Sequence, residues 1–171
     1  MPTQGFTLLE LLAAIALTAI LLAIAIPGVG AAIDRQRLDS SISYLTGSLN
    51  AARQEAILRN RPVTLAPIDG DWSQGWQMFL DSNNNGRYDS GEQLLRELKP
   101  SRVRGIHANG VLAQYVRFNA LGETEMLNGG FLAGTFRLCP ARSELEGRRV
   151  ILNRVGRHRV ERGQIEAQYC P

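Results

Sequence analysis

Arginines stand at 148, 149, 154, 157 and 159 around one glycine, Gly156, and one histidine, His158. A guanidinium can hold phosphate oxygens two at a time, and a glycine lets backbone come close to a ligand. His158 can donate a hydrogen bond when neutral near pH 7 or act as a cation at lower pH. The combination suits a polyanion held by its backbone. The chain shows neither a recognition-helix pattern nor zinc-finger spacing, so nothing in it points to the reading of base sequence.

A second group runs from Asp81 to Glu92. Asp81, Asn83, Asn85, Asp89 and Glu92 place oxygens at positions 1, 3, 5, 9 and 12 of a twelve-residue calcium pattern. Gly86 falls at position 6, and Arg87 at position 7 would offer its carbonyl. The flanking residues 75–80 read as a strand rather than an entering helix, and Asn85-Gly86 is a strong hairpin-turn signal. We therefore expect a plain turn here, with no metal or cofactor. Catalysis has little to work with, since His107 and His158 are the chain's two histidines and no Ser/His/Asp grouping can be read.

Charge separates these two regions. The formal net charge is +3, yet residues 137–171 hold eight Arg against four Glu, whereas residues 69–92 hold five acids against one Arg. A polyanion would meet the tail rather than the middle of the chain.

Several elements must position these residues. Leu11 to Ile26 is apolar except for Thr18, and extension back to Phe6 reaches the roughly 20 residues needed to cross a hydrocarbon layer. Glu10 is a carboxylate at one end of that stretch and needs a partner there. Pro27 and Gly28 are expected to break or kink the helix. Beyond them Leu38, Ile42, Leu45, Leu49, Ala52 and Ala56 recur at helical spacing, so an amphipathic segment should run to about Asn60, ended by Pro62. Strands are readable at 63–68, 75–80, 93–98, 111–119, 131–138, 148–155 and 164–169. Trp72, Trp76 and Phe79 are expected in the core. The fold class is α+β, a long helix on an antiparallel β head. It divides into residues 1–5, a spanning part 6–28, an amphipathic part 29–61 and the head 62–171.

Gly5-Phe6-Thr7-Leu8-Leu9-Glu10 followed by an apolar run resembles the signal of type IV pilins and type II secretion pseudopilins. The resemblance implies that a prepilin peptidase cuts between Gly5 and Phe6 and methylates the new amine. It also implies that Glu10 pairs with that amine on a neighbouring pilin. The leader, Met1 to Gln4, lacks the usual Lys or Arg, so charge gives no orientation. The whole chain resembles the H-type minor pseudopilins and the FimT or FimU minor pilins, and Gly156-Arg157-His158-Arg159 resembles the GRxR motif of the FimT type. That implies a subunit anchored in the inner membrane with its head in the periplasm, later part of a pilus or pseudopilus at the cell surface. Binding of double-stranded DNA in natural transformation is the finer expectation. A structural role in a pilus or a secretion filament is the alternative. A head outside the cytoplasm favours a disulfide between Cys139 and Cys170.

Overall fold

A computed structural model describes residues 7–99, 103–142 and 144–170, with side chains throughout except at 24–28. Gly5 and Phe6 lie outside the described residues. Helix α1 spans Leu8–Arg59 and passes through Pro27 and Gly28 without a break. Of the break or kink expected there, a break is absent: proline removes one hydrogen bond from the ladder, and the turns on either side remain helical. Thr7 caps the helix in a reciprocal box with Glu10. The Glu10 backbone N–H donates to Thr7 Oγ1 at 3.3 Å, and the Thr7 N–H donates to Glu10 Oε2 at 2.9 Å. Asn60 ends α1 in the left-handed region, at φ 50°.

Leu8 to Ala23 expose their apolar side chains. Among the described residues, no helix is long and apolar enough to cross a membrane. The second half of α1 behaves differently. Leu38, Ile42, Leu45, Leu49, Ala52 and Ala56 are all buried, as their periodicity required, and they face the head.

The head has two four-stranded antiparallel sheets. The first has the order β3-β2-β1-β5, from β1 (Val63–Pro67), β2 (Trp76–Leu80), β3 (Gln93–Leu98) and β5 (Val116–Phe118). The second has the order β4-β6-β7-β8, from β4 (Gly105–Ala108), β6 (Gly134–Cys139), β7 (Gly147–Leu152) and β8 (His158–Gly163). Trp72 joins them, with its ring edge-on to Phe136 of β6 at 5.0 Å and 6.1 Å from Trp76 of β2. Its Nε1 donates to the Leu112 carbonyl at 2.9 Å, while Trp76 Nε1 donates to Ser48 Oγ on α1 at 2.8 Å. Buried indole N–H groups are thereby satisfied, and the aromatic area fixes sheet to sheet and sheet to helix.

β4 stands where no strand is expected, and the strand expected over 131–138 begins only at Gly134, as β6. Residues 111–113 form part of a short 3-10 turn (Gly110–Ala113), so the strand predicted over 111–119 shrinks to β5. The strand expected over 148–155 ends at Leu152, where the chain turns. The last strand lies at His158–Gly163 rather than at 164–169, where a 3-10 turn (Ala167–Tyr169) stands instead.

Candidate functional site

Strands β7 and β8 form a hairpin whose turn, residues 153–157, contains the glycine and one motif arginine. The Asn153 N–H donates to the Arg157 carbonyl at 2.9 Å, and the Gly156 N–H donates to the Asn153 carbonyl at 3.0 Å. The Asn153 side chain accepts from the Arg157 N–H at 2.9 Å. This closed turn rests on the loop after β5. The Thr124 N–H donates to the Arg154 carbonyl at 3.0 Å, and the Thr124 hydroxyl donates to the Asn153 carbonyl at 2.9 Å.

Gly156 has a structural reason to be glycine. Its φ is +74°, and a Cβ there would run into the Gly122 carbonyl oxygen. That same carbonyl accepts from Arg53 Nε of α1 at 2.8 Å. The close approach that Gly156 permits is therefore between turn and loop. It is buried, and the expected approach of a ligand to its backbone is not its role.

The arginines divide by strand alternation. Arg148 points to the helix: it is 7% exposed, and Nη2 donates to Asp39 Oδ1 of α1 at 3.0 Å. Its Nη1 donates to the Glu146 and Gly147 carbonyls. Arg148 thus holds the sheet to the helix, and the expectation that it assists binding is corrected. Arg149, the next residue, faces outward, half-exposed. Arg154 and Arg157 are exposed in the turn, and their side chains form no ion pair among the described residues. Arg159 is 69% exposed and donates to Glu161 Oε1 at 2.9 Å. Arg154, Arg157 and Arg159 therefore sit together at one accessible end of the head.

His158 is half-buried, and burial lowers its pKa below the ordinary 6.5. The shift favours the neutral imidazole, so the positive charge here is chiefly that of the arginines around it.

The 81–92 loop is a hydrogen-bonded turn built around its own oxygens. Buried Asp81 accepts from the Asn85 and Gly86 N–H groups at 3.0 and 2.9 Å and lies 3.6 Å from Arg117 Nη1. Asn83 and Asn85 both donate to Asp89 Oδ2 at 2.7 Å, which holds that carboxyl below its usual pKa. Glu92 accepts from the Ser82 and Asp89 N–H groups, and the Asn85 side chain accepts from the Arg87 N–H. Among the described residues, no group of three or more His, Cys, Asp or Glu side chains could hold a metal.

Cys139 at the end of β6 and Cys170 are joined by a disulfide. The bond brings Tyr169 against β6, where the Arg137 guanidinium carbon lies 4.1 Å from the centre of its ring. The sequence carries one signal of this stacked arginine, the nearness of Tyr169 to Cys170, and that alone does not single it out.

This fold and this N-terminus define a pilin-like subunit. Residues 42–156 match the family described as Type II transport protein GspH, and residues 1–26 match the prokaryotic N-terminal methylation motif. The chain belongs to the GspH family and is a minor pilin or pseudopilin of that type.

Three relatives illustrate the range. The pilin-like protein PilA1 of Thermus thermophilus is 38% identical over 94 residues, 55% of this chain, and the match spans 58% of that protein's length. The type IV minor pilin FimU of Pseudomonas aeruginosa superposes with a TM-score of 0.56 at 25% identity, covering 74% of this chain and 90% of FimU. The minor pseudopilin EpsH of the type 2 secretion system of Vibrio cholerae shares the fold, with a TM-score of 0.53 at 15% identity over 74% of this chain and 97% of EpsH.

Proposed function

We propose that this chain is a minor type IV pilin whose head holds double-stranded DNA by its phosphates, without reading sequence, during uptake in natural transformation. The observation that carries the reading is the exposed arginine cluster at the β7–β8 turn. Arg154 and Arg157 have no ion-pair partner there among the described residues, and Arg159 is paired only at the surface. The Gly156-Arg157-His158-Arg159 resemblance to the FimT type supports the same reading. Phosphate contacts of this kind give binding that weakens steeply with salt and is indifferent to base sequence.

A prepilin peptidase cuts between Gly5 and Phe6, and residues 6–28 hold the subunit in the inner membrane with its head in the periplasm. The subunit then joins other pilins at the cell surface. Glu10 pairs with a neighbour's methylated Phe6 amine there, leaving its capping contact with Thr7. The match to the GspH family and the fold shared with EpsH favour a second reading, filament assembly in a pilus or secretion system without DNA.

The test uses the full chain in a non-ionic detergent, with fluorescence anisotropy of two labelled duplexes of unrelated sequence across a salt series. The DNA reading predicts equal affinities for the two duplexes and a linear fall of log K with log salt. Absence of binding at low salt leaves the assembly reading in its place.

A further inference from the structure

The outer face of the second sheet carries positive charge that the described residues only partly neutralise. The register places Arg137 of β6 opposite Arg149 of β7, and Arg149 opposite Glu161 of β8. Ile151 stands opposite Arg159, so Arg159 lies two residues along β8 from Glu161 on the same face. Like charges directly opposite on neighbouring strands are destabilising. Among the described residues one carboxylate reaches this group: Glu161 Oε1 is 2.9 Å from Arg159 Nε, and Glu161 Oε2 is 3.9 Å from Arg149 Nε. The second distance is too long for a hydrogen bond. Among the described residues, Arg149 Nε is buried without a hydrogen-bond partner, and so is Arg137 Nη1, whose guanidinium stacks on Tyr169. Two guanidiniums, those of Arg149 and Arg159, thus share the Glu161 carboxylate, while Arg137 stands opposite Arg149 on one side and His107 of β4 on the other.

We propose that this face continues the phosphate track of the turn. Arg149 is its second contact, and Glu161 is an internal anion that a DNA phosphate displaces from Arg159. The proposal rests on the DNA reading above. Arg157 stands in the turn just before β8 and Arg159 is its second strand residue, so the pair leads from the turn onto the sheet. Arg149 lies one strand further in, its side chain 39% exposed. Glu161 keeps Arg159 and Arg149 from repelling each other when no DNA is present. When a phosphate takes Arg159, the freed carboxylate recruits a cation from solution, and this uptake offsets part of the counterion release that drives binding.

The salt series gives this idea a signature. With the full chain in detergent and a labelled duplex, Glu161→Gln should tighten binding about three- to tenfold at low salt, as expected for removing a like charge at a contact. It should also steepen the slope of log K against log salt, by up to about 0.9, because the offsetting cation uptake is gone. Arg149→Gln should weaken binding and flatten the slope by about the same amount. Glu97→Gln makes the same charge change on β3 of the other sheet and should leave affinity within about twofold, which separates a local effect from net charge. Circular dichroism confirms that each variant is folded. If Glu161→Gln and Arg149→Gln both bind like wild type while Arg157→Gln weakens binding, the track ends at the turn and this inference is overturned with the DNA reading intact. Failure of the wild type to bind overturns both.

Discussion

Replacing Gly156 by alanine should destabilise the head without removing any charge from the arginine cluster. Two effects add at this position. A side chain in the left-handed region costs about 1–2 kcal/mol, and Gly156 has φ +74°. The new Cβ would also overlap the Gly122 carbonyl oxygen and stand 3.1 Å from Arg53 Nε, so the loop and its bond to α1 must shift. Overpacking of that kind costs about 1–3 kcal/mol. Gly70 separates the two effects: it has φ +77°, but nothing lies within 4 Å of a Cβ there. Gly70→Ala should therefore lose about 1–2 kcal/mol and Gly156→Ala about 2–5 kcal/mol. For a head of this size the larger loss lowers Tm by on the order of 10–20 °C. Thermal unfolding of the full chain in detergent, followed by circular dichroism, measures both variants. Equal melting temperatures for the two would refute the claim that Gly156 serves the packing of turn against loop.

Three other perturbations test separate interactions. Reduction of Cys139–Cys170, which closes a loop with sequence separation 31, should lower stability by about 3–4 kcal/mol in the chain-entropy account. Urea unfolding with and without reductant reads this, and an unchanged midpoint would contradict it. Asp39→Asn removes the carboxylate facing buried Arg148; because Asp39 is itself half-exposed, the loss should be about 1–2 kcal/mol rather than that of a fully buried pair. An unchanged urea midpoint would remove Arg148 from its anchoring role. His158 has a lowered pKa in the folded chain, so the unfolded chain binds more protons and stability should fall as pH drops below the ordinary histidine value of 6.5. His158→Gln should flatten this dependence in a series of melting curves across that window, and a variant with the wild-type pH profile would refute the assignment.

The helical stripe from Leu38 to Ala56 is legible in the chain because its period is local, and every member is buried. Trp72 and Trp76 are equally legible, since large aromatic area has few other uses, and the disulfide expected of the two cysteines is formed. β8 is hidden because His158–Gly163 is an edge strand with Val160 as its one apolar residue, so alternation gives no hydrophobic signal. β4 has four residues, too few for a period to register.

The candidate site is legible in its composition and not in its division of labour. Arg148 and Arg149 are adjacent and chemically identical, and only the ion pair with Asp39, 109 residues earlier, assigns the first to the fold. Gly156 reads as a ligand-approach glycine until Gly122, remote in sequence, occupies the space beside it. The capping box of Thr7 and Glu10 follows the Thr-x-x-Glu pattern and is readable from the chain directly. The charge of Glu10 beside an apolar run points instead to a partner outside the chain, and the local role is easily passed over.

The central claim is that Arg157 and Arg159 hold DNA by its phosphates, and the direct measurement is the salt dependence of binding for the double variant Arg157→Gln, Arg159→Gln. Anisotropy of a labelled duplex with the full chain in detergent should show weaker binding at every salt concentration. The slope of log K against log salt should shrink by about 0.9 for each phosphate that no longer meets a guanidinium, with melting behaviour close to wild type. A folded double variant that kept both the wild-type affinity and the wild-type slope would contradict the account.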